Sequence, residues 1–176
     1  MPNLVITALA PIGAALYVWR RPEPGTRARR LEVYLLWWLA AIGVGSVLSG
    51  LVHVLDGAPT AEDIGFTRGD GGFQFENAMG DLALGVCSLL CLRIRGTFWL
   101  AVLVFMSIQY YGDAVGHVYQ WLNNDNSKSG NVGVPLVLDV LWPAVATVLY
   151  ARWRRADRST ESGRPLAPQA SVAQVR

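Results

Sequence analysis

Apolar residues run through this chain in five long blocks, Asn3 to Trp19, Leu31 to Val54, Gly72 to Leu92, Thr97 to Leu122 and Val132 to Trp153, separated by polar stretches. Each block is at or near the roughly 20 residues that an α-helix needs to cross a bilayer. Where polar residues interrupt them, they recur at three- and four-residue steps, the period of a helix with one distinct face. The predicted fold is therefore all-α: a polytopic transmembrane bundle of five spanning helices over residues 1–155, with a disordered tail, rich in Ser, Pro, Ala and Gln, over residues 156–176.

The first block competes with a secretory signal. It lacks a basic leading region, and the Ala8-Leu9-Ala10 cleavage site would fall too early, so it reads as a retained helix.

Basic residues set the orientation. Arg20, Arg21, Arg27, Arg29 and Arg30 follow the first block, Arg93 and Arg95 follow the third, and Arg152, Arg154, Arg155, Arg158, Arg164 and Arg176 lie at or beyond the end of the fifth. Only Arg68 and Lys128 fall in the other connections. Because cytoplasmic loops hold the excess of Lys and Arg, this alternation places the N-terminus outside and the C-terminus in the cytoplasm, in a multi-pass protein of the cell membrane. The clusters read as positive-inside anchors, and Trp19, Trp121 and Trp153 at block ends read as interface anchors.

Composition agrees: 52% of residues are hydrophobic and 16% charged, with seven Trp, which excludes an ordinary soluble domain. The net charge of +2 reports topology and does not point to nucleic acid. Cys87 and Cys91, four apart in one block, read as packing residues on the reducing side. The outer connection from Asp56 to Gly72 carries Glu62, Asp63 and Asp70 against Arg68; the second, Asn123 to Asn131, is turn chemistry without the alternating acids of a calcium loop.

Candidate chemistry lies in polar stripes inside the blocks. Ser46, Ser49, His53 and Asp56 share one face of the second, beside Ala41, Gly45 and Ser49 as a small-residue stripe for close helix approach. The third carries Glu76, Asn77 and Asp81, with Asp81 roughly 13 Å below its start at 1.5 Å per residue. The fourth carries Gln109, Asp113 and His117, with Gln120 near and Gly112 and Gly116 as a GxxxG alongside. Asp113 falls at nearly the depth of Asp81. In the fifth, Pro143 cannot donate to the carbonyl of Asp139, which leaves a carboxylate and a free backbone oxygen at one position. The first block adds no such residue and is expected to be peripheral.

The expected pocket is lined by His53, Glu76, Asn77, Asp81, Gln109, Asp113, His117 and Asp139, near the outer end of the bundle and without a Lys or Arg in the interior of the blocks that form it. Amides alone would serve as helix-to-helix glue. Uncompensated carboxylates are costly in a low dielectric and call for protons, a metal or a cationic ligand. Three readings follow. The first is a cation or proton site in a transporter or relay, with homo-oligomerisation as a way to widen a narrow conduit. The second is a membrane-embedded enzyme acting on a lipidic substrate, with Asp113, His117, Glu76 or Asp81 as general acid and base, or a divalent metal ion held by Asp113, His117 and Asp139. The third is an accessory subunit of a membrane complex. No cofactor motif is recognised.

The segments Gly72-Phe73-Gln74-Phe75-Glu76-Asn77, Gly112-Asp113-Ala114-Val115-Gly116-His117-Val118-Tyr119-Gln120 and Gly130-Asn131-Val132-Gly133, followed by Asp139 and Pro143, resemble an uncharacterised prokaryotic family of small multi-helix integral membrane proteins. The resemblance covers the third to fifth blocks. It implies an integral membrane protein without an assigned activity, with Glu76, His117 and Asp139 as family-like positions and Asp81 and Asp113 as departures.

Overall fold

A computed structural model describes residues 2–21, 25–69 and 71–162. Asp70 and residues 163–176, with Arg164, Arg176 and most of the expected tail, lie outside the described residues. The described chain is helical, without strands: α1 (Pro2–Trp19), α2 (Arg27–Leu55), α3 (Gly57–Asp63), α4 (Gly71–Leu90), α5 (Thr97–Asn124), α6 (Ser129–Val132) and α7 (Val134–Ser162). The five predicted blocks correspond to α1, α2, α4, α5 and the α6–α7 pair.

Boundaries follow local chemistry. Thr26 caps α2 by accepting from the Arg29 N–H at 3.2 Å. The α4–α5 turn uses Gly96 at φ 72°, in the left-handed region that glycine enters without steric cost. Two expectations are revised. The connection after Asp56 is not all loop, because Gly57–Asp63 forms α3, packed on α4. The last helix does not end at Trp153 but runs to Ser162, so residues 156–162 are helical; Arg, Ala and Asp between 154 and 158 contain no breaker, and the Ser159 hydroxyl folds back onto the Arg155 carbonyl at 2.9 Å.

The long helices alternate in direction. Gly13 of α1 meets Trp37 while Asn3 meets Gly45; Gly43 meets Gly85 while Gly50 meets Ala78; Trp99 meets Trp153 while Tyr110 meets Trp142. All helix ends bearing the Arg clusters therefore lie together, and His53, Asn77, His117 and Asp139 lie toward the other end.

The α2–α4 seam is the closest approach. A Cβ at Gly43 would lie 3.0 Å from the Gly85 carbonyl oxygen, and one at Gly50 would lie 3.0 Å from the Ala78 oxygen. The small residues that face α4 are thus Gly43 and Gly50, while the stripe of Ala41, Gly45 and Ser49 faces other parts of the bundle, Gly45 receiving the Trp142 ring and Ser49 lining the cavity described below. Gly112 and Gly116 have nothing within 4 Å of an added Cβ, so among the described residues their GxxxG packs no helix.

The core collects Leu35, Leu39, Ile42, Leu84, Met106 and the rings of Trp38, Trp99 and Trp142. Each buried indole N–H has an acceptor: Trp38 donates to the Trp142 carbonyl at 3.1 Å, Trp99 to the Cys91 carbonyl at 2.9 Å and Trp142 to Thr7 Oγ1 at 2.8 Å. Helix α1 is consequently docked by a specific polar contact. Cys87 and Cys91 are free thiols, Cys91 fully buried. Trp19 is 79% exposed, as an interface residue would be, whereas Trp153 packs on Trp99 with ring centroids 4.8 Å apart.

Three segments are long and apolar enough to cross a membrane: α2, α5, and Ser129–Ser159, which spans α6 and most of α7. Helix α1 is apolar but shorter. Outward-facing apolar side chains, including Leu9, Ile12, Val86, Ile108, Val115, Val137 and Val148, give the bundle the surface of a protein immersed in lipid.

Candidate functional site

At the end of the bundle opposite the Arg clusters, α1, α2, α4, α5, α6 and α7 surround a cavity of about 1120 Å³. Ser49 and His53 enter it from α2, Asn77 and Asp81 from α4, Tyr110, Asp113 and His117 from α5, and Asp139 and Trp142 from α7. Among the described residues no Lys or Arg lines it. Asp81 and Asp139 are 6% and 9% exposed, so their carboxylates are withdrawn from the surface although they face the cavity.

The ordering centre is His117. Its Nδ1 lies 2.7 Å from Asn131 Oδ1, and its Nε2 lies 3.4 Å from Asp139 Oδ2. Asn131, fully buried, donates its Nδ2 to the His117 carbonyl at 3.0 Å and to the Asn126 carbonyl at 2.9 Å. Two carbonyl acceptors fix the amide orientation, so Oδ1 must face the imidazole and Nδ1 must carry the proton. Nε2 is then the nitrogen that faces the Asp139 carboxyl across the α5–α7 interface. The turn before α7 makes this geometry: Gly133 sits so close to the Ser129 carbonyl that a Cβ would collide with it, and Asn126 is held by donating to the Ile64 carbonyl at 2.9 Å.

Asp81 shares the cavity with Ser49 of α2, Asp113 of α5 and Asp139 of α7. Asp113 accepts from Gln109 Nε2 at 3.3 Å. Gly80 leaves room for that amide, since a Cβ there would come within 3.3 Å of Gln109 Oε1. His53 Nδ1 donates to Gln74 Oε1 at 2.5 Å, from the completely buried Gln74. Below the carboxylates, the Ser46 hydroxyl donates to the Ile42 carbonyl at 2.8 Å, so the Tyr110 hydroxyl, 2.5 Å away, donates to Ser46. Asn3 of α1 also lines the cavity, and its buried Oδ1 has no hydrogen-bond partner.

Of the eight residues expected to form the pocket, His53, Asn77, Asp81, Asp113, His117 and Asp139 are brought together. Gln109 does not line the cavity and acts through Asp113. Glu76 is exposed and outside it, because it lies about 100° around α4 from Asn77. Asp56, beside His53 in the expected stripe, is exposed. Asp113 and His117, four residues apart on α5, take different partners: His117 lies against Asp139 and Asp113 accepts from Gln109.

The metal expectation for Asp113, His117 and Asp139 does not fit the donor arrangement. Among the described residues no group of three or more His, Cys, Asp or Glu is gathered closely enough to hold a metal ion. His117 has both ring nitrogens engaged by Asn131 and Asp139.

Sequence reasoning missed Asn131, Gln74, Tyr110 and Asn3. Asn131 falls in a run of turn-forming residues with no periodicity; its only local signal is its place between Gly130 and Gly133. No curated protein and no solved structure matches the chain. Residues 2–159, nearly the whole bundle and not only its last three long helices, match the family of unknown function DUF6790, and the chain belongs to that family.

Proposed function

We propose that this is a five-span integral membrane protein, with its Arg-rich helix ends in the cytoplasm and its cavity toward the outer face, whose His117–Asp139 pair and neighbouring Asp81 and Asp113 hold a proton or a small cation. One observation carries the reading: Asn131 dedicates Nδ1 of His117 to a structural hydrogen bond, which leaves Nε2 facing a buried carboxyl with a single exchangeable proton to divide between them. Three features add support. Among the described residues the cavity wall holds three interior aspartates and no Lys or Arg, which favours compensation by protons or a cationic ligand. Asn3 presents an acceptor oxygen without a donor at the same wall. Proline at 143 leaves the Asp139 carbonyl without its helical N–H.

The test is infrared difference spectroscopy of the protein in nanodiscs through a pH titration, and at fixed pH on addition of sodium, potassium or tetramethylammonium. Wild type should show carboxyl and imidazole bands that respond together, Asp139→Asn should lose the joint response, and the exposed control Glu76→Gln should retain it. Carboxyl bands in wild type that answer neither protons nor cations would refute the reading.

A further inference from the structure

At the opposite end of the bundle, the start of α2 and the last turns of α7 enclose a second pocket, of about 590 Å³, lined by Arg27, Ala28, Arg152, Arg155, Ala156 and Ser159. Arg152, Arg155 and Ser159 are spaced three and four apart and so share one face of α7, turned toward Arg27. Its walls hold three guanidinium groups and no carboxylate. Among the described residues none of the three has an ion-pair partner, and the nearby Glu32 of α2 is already engaged by Arg29 at 2.6 Å and by Arg95. The other arginines that the structure engages at this end do different work: Arg21 and Arg154 lie over the Tyr17 and Tyr150 rings.

Positive-inside anchoring needs basic residues at a helix end, but not three of them around one hollow with their counter-charges elsewhere. The pocket also receives the first turn of α2, where the N–H groups of Arg27 and Ala28 have no intrahelical acceptor and the dipole of a 29-residue helix is positive. Guanidinium forks and helix N-terminal amides together suit a tetrahedral oxyanion, which can accept several charge-assisted hydrogen bonds at once. The exposed Trp19, at the same end of α1, marks the level at which lipid headgroups lie when the bundle spans a bilayer.

We propose that Arg27, Arg152 and Arg155 form a binding site for a phosphate group, carried in the membrane by the headgroup of an anionic lipid. The site is separate from the acidic cavity and does not depend on what that cavity holds. The three side chains are exposed, so replacing them leaves the core intact.

The experiment is native mass spectrometry of the full chain, delipidated in neutral detergent, titrated with phosphatidylglycerol, with phosphatidylcholine, or with inorganic phosphate. Arg152→Gln/Arg155→Gln is compared with Arg20→Gln/Arg93→Gln, which removes equal charge from the same end outside the pocket. The first pair should weaken phosphatidylglycerol binding at least tenfold and the second less than twofold, and Arg27→Gln, on the other helix, should weaken it in the same direction. Displacement of bound lipid by inorganic phosphate would support the site and identify the free anion as a ligand; retained lipid would support it as a headgroup site. Equal weakening by both pairs, or phosphatidylcholine binding as tightly as phosphatidylglycerol in wild type, would overturn the proposal.

Discussion

Replacing Gly85 by alanine adds one methyl group where the backbones of α2 and α4 come together. Its Cβ would lie 2.7 Å from Val47 Cγ2 and 2.9 Å from both the Gly43 carbonyl oxygen and the Val47 nitrogen. Two of those three neighbours are backbone, so rotating a side chain cannot relieve the contact, and α2 and α4 must separate. Restoring ordinary contact requires an opening of about 0.5 Å, which forfeits about a quarter of the dispersion attraction of each atom pair along the seam. Overpacking of this kind costs about 1–3 kcal/mol. Against it stands a gain of about 0.5–1 kcal/mol from replacing a mid-helix glycine by alanine. A net loss of about 1–2 kcal/mol is expected. Gly116→Ala provides the internal comparison: it too is a mid-helix glycine, but nothing lies within 4 Å of its added Cβ, so it keeps the gain without the clash. Reversible unfolding in mixed micelles should therefore separate the two variants by about 2 kcal/mol, with Gly85→Ala the weaker. Equal stability of the two, or a Gly85→Ala protein more stable than wild type, would refute the account of the α2–α4 seam.

Removing the Asn131 side chain should do two things. It strips acceptors and donors from His117 and Asn126 at a fully buried position, at a cost of about 1–3 kcal/mol, and it frees the imidazole tautomer; nitrogen NMR of labelled histidine should show one tautomer in wild type and a mixture in Asn131→Ala, and an unchanged spectrum would sink the assignment of Nδ1. Thr7→Val leaves the Trp142 indole N–H without its acceptor while keeping the shape of the side chain; stability should fall by about 1 kcal/mol or more, with α1 the first element to gain hydrogen exchange, whereas uniform loss of protection across all helices would contradict a local docking role.

Much of this architecture was legible from periodicity. Asp81 and Asp113 meet because counting residues along two antiparallel helices measures depth well, and Ser49 and His53 reach the cavity because they share a stripe with a single buried direction. Angular errors arose where a helix has neighbours on several sides. Helix α2 carries two small-residue stripes, and spacing alone does not say which faces α4 and which receives Trp142. Glu76 and Asn77 differ by one residue, enough to put one at the surface and the other on the cavity wall. The least legible feature was Asn131, whose role is set by three partners, one of them the imidazole ring it orients, brought together by the turn before α7. A residue in a helix of four residues, as Asn131 is in α6, leaves no periodic face in the sequence.

The position of Trp142 has a consequence for how the helices can move. Its indole N–H is tied to α1, its carbonyl receives Trp38 of α2, and its ring stands edge-on to Tyr110 of α5 at 5.4 Å. Trp142 therefore forms part of the cavity wall within one turn of Asp139, above a core of Leu39, Ile42 and Met106. Because this one residue holds contacts to three other helices, a tilt of α7 at the adjacent Pro143 would disturb its seats on α1, α2 and α5 together, which ties the shape of the acidic chamber to the packing of the whole bundle.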